Sequence, residues 1–214
     1  MTSTEILINA LSDDLVPVRR RSVWREVASL AALGTAEVAA IVMLGATRPD
    51  MAQVIATPFM TWKIGSLALI VGVATTVALR SFAPPNATRK GLMLVLMLAG
   101  LAIVLGAMVM PPAFSGRSLI ERLSVLRGLM CAGAIVVLSL PLMALLGAIM
   151  RRAAPVDPRR SAIAAGLCAS TLGALVFTAC CPMNDPLYVA VWYSAGVAAV
   201  TASARYLLSR RFRL

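Results

Sequence analysis

The chain has 214 residues, of which 60% are hydrophobic and 14% charged, with a mean hydropathy of +0.87. One soluble core of this size cannot hide that much apolar surface, which excludes a soluble globular domain. The sequence has no histidine, so the usual general base and commonest transition-metal ligand are missing, and its formal charge of +11 calls for an explanation.

Residues 1–23 read as an amphipathic arm. Ser3 or Thr4 can cap a helix and Glu5 suits its first turn. Leu7, Ile8, Leu11 and Leu15 make an apolar stripe at helical spacing, and Pro17 ends it. About three turns of helix are marginal alone in water, so the arm is expected to dock on a surface. Glu5, Asp13 and Asp14 flank the stripe; they suit a basic groove and disfavour an anionic leaflet. The same acidic residues, with no apolar core before a small-residue cleavage site, argue against a cleavable signal peptide. The first apolar stretch is therefore expected to act as an uncleaved anchor.

Six apolar stretches follow, at about 24–46, 62–79, 91–110, 125–150, 162–180 and 187–208. Each has roughly the 20 residues that a helix needs to cross a bilayer, and none alternates like a strand. The expected fold is an all-α polytopic membrane protein, a bundle of six transmembrane helices occupying 24–214, with the fourth span long enough to tilt or kink near Pro141.

The basic residues alternate from side to side. Arg19, Arg20, Arg21, Arg25, Arg80, Arg89, Lys90, Arg151, Arg152, Arg159, Arg160, Arg205, Arg210, Arg211 and Arg213 flank one side. The other has Arg48, Lys63, Arg117, Arg122 and Arg127. By the positive-inside rule both termini are expected in the cytoplasm. Orientation thus accounts for the net charge, and direct nucleic-acid binding is not expected. Trp24, Trp62, Trp192 and Tyr193 sit near span ends, where rings of this kind anchor to the lipid interface.

No nucleophile elbow, phosphate-binding loop, zinc-ligand spacing or carboxylate pair occurs, so hydrolytic catalysis is not expected and no cofactor is implied. Chemistry rests with Cys131, Cys168, Cys180 and Cys181. Cys131 and Cys181 fall near the outer surface on this topology and can be neighbours if spans four and five pack together. Two such thiols are candidates for a reversible disulfide or a soft-metal site. Cys168 reads as a small buried hydrophobe, and Cys180 is open between packing and function. Pro182, Asn184, Asp185 and Pro186 make a tight turn that is expected to expose Cys181. Glu37, in mid-span, is either an intramembrane functional site or a protonated residue bonded between helices. A thiol oxidoreductase passing electrons to a quinone, and a small transporter, stay open as alternatives; the first lacks a Cys-x-x-Cys pair and the second a broken-helix pair.

Several blocks resemble the NrsF family of bacterial membrane anti-sigma factors, negative regulators of extracytoplasmic-function sigma factors of the SigF type. They are LINALSDDLVPVRR in the arm, TRPDM at 47–51, TWKIG at 61–65, MCAGAIVVLSLP at 130–141 and CPMNDPLYVAVWY at 181–193. The resemblance implies a protein of the bacterial inner membrane. Its arm, chiefly Leu7, Leu11, Asp14, Leu15 and Arg19, would hold a sigma factor, and Cys131 and Cys181 would sense a heavy-metal ion or an oxidant. In the family's block a histidine usually precedes the second cysteine, where this chain has Cys180.

Overall fold

The computed structural model describes residues 22–83, 88–109, 122–153 and 155–211 together with Glu5 and Ser12, and of residue 88 and residues 209–211 the backbone alone. The arm residues Leu7, Leu11, Asp14, Leu15 and Arg19 lie outside the described residues. Among those described, six long helices and one short one follow in chain order, and no strand occurs. They are α1 (Val23–Met43), α2 (Met51–Val54), α3 (Pro58–Ser81), α4 (Thr88–Val109), α5 (Val125–Ala153), α6 (Pro158–Phe177) and α7 (Pro186–Arg211). All but α2 are long and apolar enough to cross a membrane.

Local chemistry sets several ends. α1 stops at Gly45, whose φ of +65° is the left-handed geometry that glycine adopts without strain. The N–H of Gly45 bonds to the carbonyl of Val42 and that of Ala46 to Ile41, both at 3.0 Å, so carbonyls of the last turn stay satisfied. Proline at the first position starts α3 and α6, where its missing N–H costs nothing. The Asp157 side chain caps α6 by accepting from the Arg160 N–H at 3.1 Å. α5 runs on through Pro141.

α6 is the centre of the bundle. It packs against α3, α5 and α7, while α4 lies mainly on α3 and α1 touches α5 and α6. A run of small residues makes this possible: Ala162, Ala164, Ala165, Gly166, Cys168, Ala169, Ser170, Gly173 and Ala174 are all buried. Small side chains let backbones approach in lipid, where close packing replaces the hydrophobic effect between helices. A methyl group on Gly166 would stand 2.9 Å from Thr201 Cα on α7, and one on Gly173 would stand 2.5 Å from Ser139 Oγ on α5. By contrast α4 presents Leu94, Leu96, Met97, Leu101 and Val104 outward, the face expected toward lipid.

Contacts at the two ends follow the alternating crossing order. At one end, Arg48 after α1 bonds to the turn between α6 and α7, and Trp192 of α7 donates to the Leu123 carbonyl before α5 at 2.8 Å. At the opposite end, Ser161 at the start of α6 donates to the Ser81 carbonyl at the end of α3 at 3.0 Å.

The helix bounds correct two expectations. α3 begins at Pro58, earlier than 62, which moves Lys63 from the first turn of the expected span into the second turn of the helix. α6 ends at Phe177, so Cys180 leaves the span and lies in the following turn.

Candidate functional site

The turn between α6 and α7 is built from Thr178 to Asp185. The N–H groups of Cys180 and Cys181 both bond back to the Phe177 carbonyl, at 3.0 and 3.1 Å, which carries the chain around and turns Cys181 inward. Cys181 was expected at the surface; it is instead fully buried. The reason is the cover above it. Arg48 donates from Nη1 to the Cys181 carbonyl at 3.3 Å and to Asn184 Oδ1 at 3.0 Å, and its own N–H bonds to the Ala179 carbonyl at 3.1 Å. Its Nε and Nη2 grip Asp50 at 2.7 Å each. That fork–fork pair holds the Asp50 carboxyl below its usual range.

Beneath this strap Cys181 joins Cys131 of α5 in one buried cluster with Phe59, Ile135, Phe177, Tyr188 and Tyr193. The two thiols expected to be neighbours are so. The Cys131 Sγ lies 3.2 Å from the Tyr188 hydroxyl. All four cysteines are free thiols in this structure.

Lys63 sits 1% exposed against the same cluster, with Nζ 4.8 Å from the centre of the Tyr193 ring. The Cys131 thiol, as a hydrogen-bonding neighbour, does most to pull the Cys181 thiol below its ordinary value; burial opposes this, and the Lys63 ammonium and the Met183 N–H add to the lowering. A thiolate is the form that attacks oxidants and binds soft metals. Lys63 was expected among the charges flanking the outward ends of the spans and is instead a buried countercharge. Arg48 and Arg122 are likewise held in ion pairs, so three of the five basic residues on that side have structural partners or places.

Arg122 and Asp185 fix the other flank of the turn through two bonds of 2.9 Å. Burial alone would raise the Asp185 carboxyl, but Arg122 and the N–H groups of Leu187 and Tyr188 outweigh it and hold it low. Asp185 also accepts from the Leu187 N–H at 2.9 Å and so caps α7.

A family model described as negative regulator of sigma F matches residues 11–214. The chain belongs to the NrsF family. It is 30% identical over 203 residues to the anti-sigma-F factor NrsF of Caulobacter vibrioides, covering 92% of each chain. No solved structure matches it.

In this NrsF-family chain the remaining expectations divide. Cys168 is fully buried on α6 beside the Thr75 hydroxyl at 3.4 Å, apart from the thiol cluster, as its packing role implied. Cys180 is half-buried and packs against both the thiol cluster and the main core. The carboxylate oxygens of Glu37 have no hydrogen-bond partner among the described residues, so no interior polar group pairs with it there. Trp24, 78% exposed, fits an interface anchor; Tyr193 does not, because it is buried against Phe177 with ring centres 5.9 Å apart. No group of three or more metal-binding carboxylate or thiol side chains occurs among the described residues.

Sequence reasoning missed Lys63, Arg48, Tyr188 and the Arg122–Asp185 pair. Lys63 carried a usable signal, since it lies one residue after Trp62 at the mouth of an apolar run. Arg48 pairs locally with Asp50, but its bond to Asn184 spans 136 residues and that of Arg122 to Asp185 spans 63, and no local pattern marks those two.

Proposed function

We propose that this protein is an anti-sigma factor of the bacterial inner membrane, with both termini in the cytoplasm, that sequesters an extracytoplasmic-function sigma factor through its arm, residues 1–23. In this reading Leu7, Leu11 and Leu15 supply the apolar face, Asp14 and Arg19 supply charge, and Cys131 with Cys181 receives the stress signal. Family membership supports the sigma-factor partner. The single structural observation behind the sensor is the burial of Cys131 and Cys181 in one cluster beside Lys63.

Two chemistries suit that pair. A thiophilic heavy-metal ion displaces the thiol protons and is held by two thiolate sulfurs. Hydrogen peroxide is attacked by the Cys181 thiolate, which breaks the O–O bond and gives a sulfenic acid, while the leaving hydroxide takes a proton and departs as water. Cys131 then displaces a second water to close the disulfide, so two thiols lose two electrons and the peroxide gains them. Either product changes the distance between α5 and the 178–185 turn. Because α5 and α7 both pack on α6, that change reaches the cytoplasmic end of the bundle and releases the sigma factor.

The test of the partner is co-purification of the full-length protein in detergent with a sigma factor of this class. Retention by the wild-type chain and loss in Leu11→Asp/Leu15→Asp supports the reading. Equal retention by both removes the arm from it.

A further inference from the structure

Helices α3, α4, α6 and α7 enclose a cavity of about 710 Å³, the size of a single small-molecule site. Its wall is mostly apolar, and it opens between α4 and α7, where Leu96, Ile103 and Tyr206 are exposed. Along α7 its wall runs from Pro186 to Tyr206, and the stretch from Tyr193 to Arg205 is about 18 Å long at 1.5 Å per residue.

One stretch of the wall carries buried donors. Trp62 Nε1, Lys63 Nζ and Tyr193 Oη all belong to lining residues, and all are buried without a hydrogen-bond partner among the described residues. Lys63 is 1% and Tyr193 5% exposed. Buried donors without a hydrogen bond are costly at membrane depth, and here three belong to residues lining one cavity, one of them cationic. We propose that this cavity binds a long-chain fatty acid, with its carboxylate at Trp62, Lys63 and Tyr193 and its chain along α7 toward Arg205.

The carboxylate is the acceptor-only anion that these three donors match. A quinone is neutral and would bring no charge to Lys63. A phospholipid head would have to leave the interface, since Lys63 lies about 8 Å into α3; a carboxylate is compact enough to reach it. Binding itself is independent of the sensor. Its consequence rests on the sensor reading: a carboxylate on Lys63 competes with the Cys181 thiolate for the same ammonium, so occupancy slows thiolate chemistry.

The test uses the full chain with Trp24→Phe, in lipid nanodiscs, and follows tryptophan quenching by dibromostearate. The expected result is saturable quenching that disappears in Trp62→Phe and in the cavity-filling Ala198→Phe. Affinity should fall at least about tenfold in Lys63→Met, the loss of one charge-assisted bond. The methyl ester should quench without saturation. Equal saturation by acid and ester overturns the carboxylate assignment. Quenching that rises linearly with probe, matches that of a dibrominated phosphatidylcholine and ignores Ala198→Phe overturns the site. If binding holds but saturating acid leaves Cys181 alkylation unchanged, the sensor link fails and the site stands.

Discussion

Lys63 Nζ lies 4.8 Å from the centre of the Tyr193 ring, a buried cation over an aromatic face at the edge of the thiol cluster. The contact joins α3 to α7 and puts a positive charge where a thiolate has to be stabilised. Cation–π contacts of this kind strengthen when desolvated, so Tyr193 helps to keep Lys63 in place inside the bundle.

Lys63→Met should therefore slow Cys181. The Cys131 hydrogen bond does most to lower the Cys181 thiol's pKa and the Lys63 ammonium adds to it, so the wild type keeps thiolate at a pH where an ordinary thiol is protonated. Without it the midpoint of the alkylation rate against pH moves upward, and each unit costs about tenfold in rate below the midpoint. Iodoacetamide labelling of Cys181, read by mass spectrometry across pH, measures this. A superimposable profile would remove Lys63 from the site.

Arg48→Met should loosen the strap. It leaves the buried Cys181 carbonyl without the Nη1 donor at 3.3 Å, and an unsatisfied buried acceptor costs about 1–3 kcal/mol. The Tm in detergent should fall by several degrees and Cys181 should label faster. Slower labelling would show that Arg48 does not guard the thiol.

The Arg122–Asp185 pair gives a pH dependence. Asp185 is held below its ordinary value of 3.8 in the folded protein, so its contribution is present above that pH and is lost as pH falls through the lower folded value. The Tm difference between wild type and Asp185→Asn should be constant near neutrality and shrink below about pH 4. A difference that grows on acidification would contradict the assignment.

Gly166→Val should disturb the centre of the bundle. Its added carbons meet the Thr201 backbone and the Ala204 methyl, neither of which can rotate away. Overpacking of this kind costs about 1–3 kcal/mol, visible as a lower Tm, whereas Gly65→Ala, with open space around it, should be nearly silent.

The architecture was legible because lipid makes strong demands on sequence. A helix that crosses a bilayer must be long, apolar and closed in its own hydrogen bonds, so all six spans could be read to within a few residues. The pairing of Cys131 with Cys181 was readable from topology. The interior of the site was not. Lys63 looks like a flanking charge at the end of a span until the helix is seen to begin at Pro58. Cys181 looks exposed in a Pro-Asn-Asp turn until Arg48, from a linker far away in sequence, folds across it. The partners that carry these charges into the site, Cys181 and Asn184 for Arg48 and Tyr193 for Lys63, lie outside any local window.

The most direct measurement is sigma-factor release from the immobilised full-length protein on adding a thiophilic heavy-metal ion or hydrogen peroxide. The account predicts release from the wild type and retention by Cys131→Ser/Cys181→Ser, with Cys168→Ser/Cys180→Ser behaving as wild type. Equal release from the Cys131→Ser/Cys181→Ser protein would contradict it.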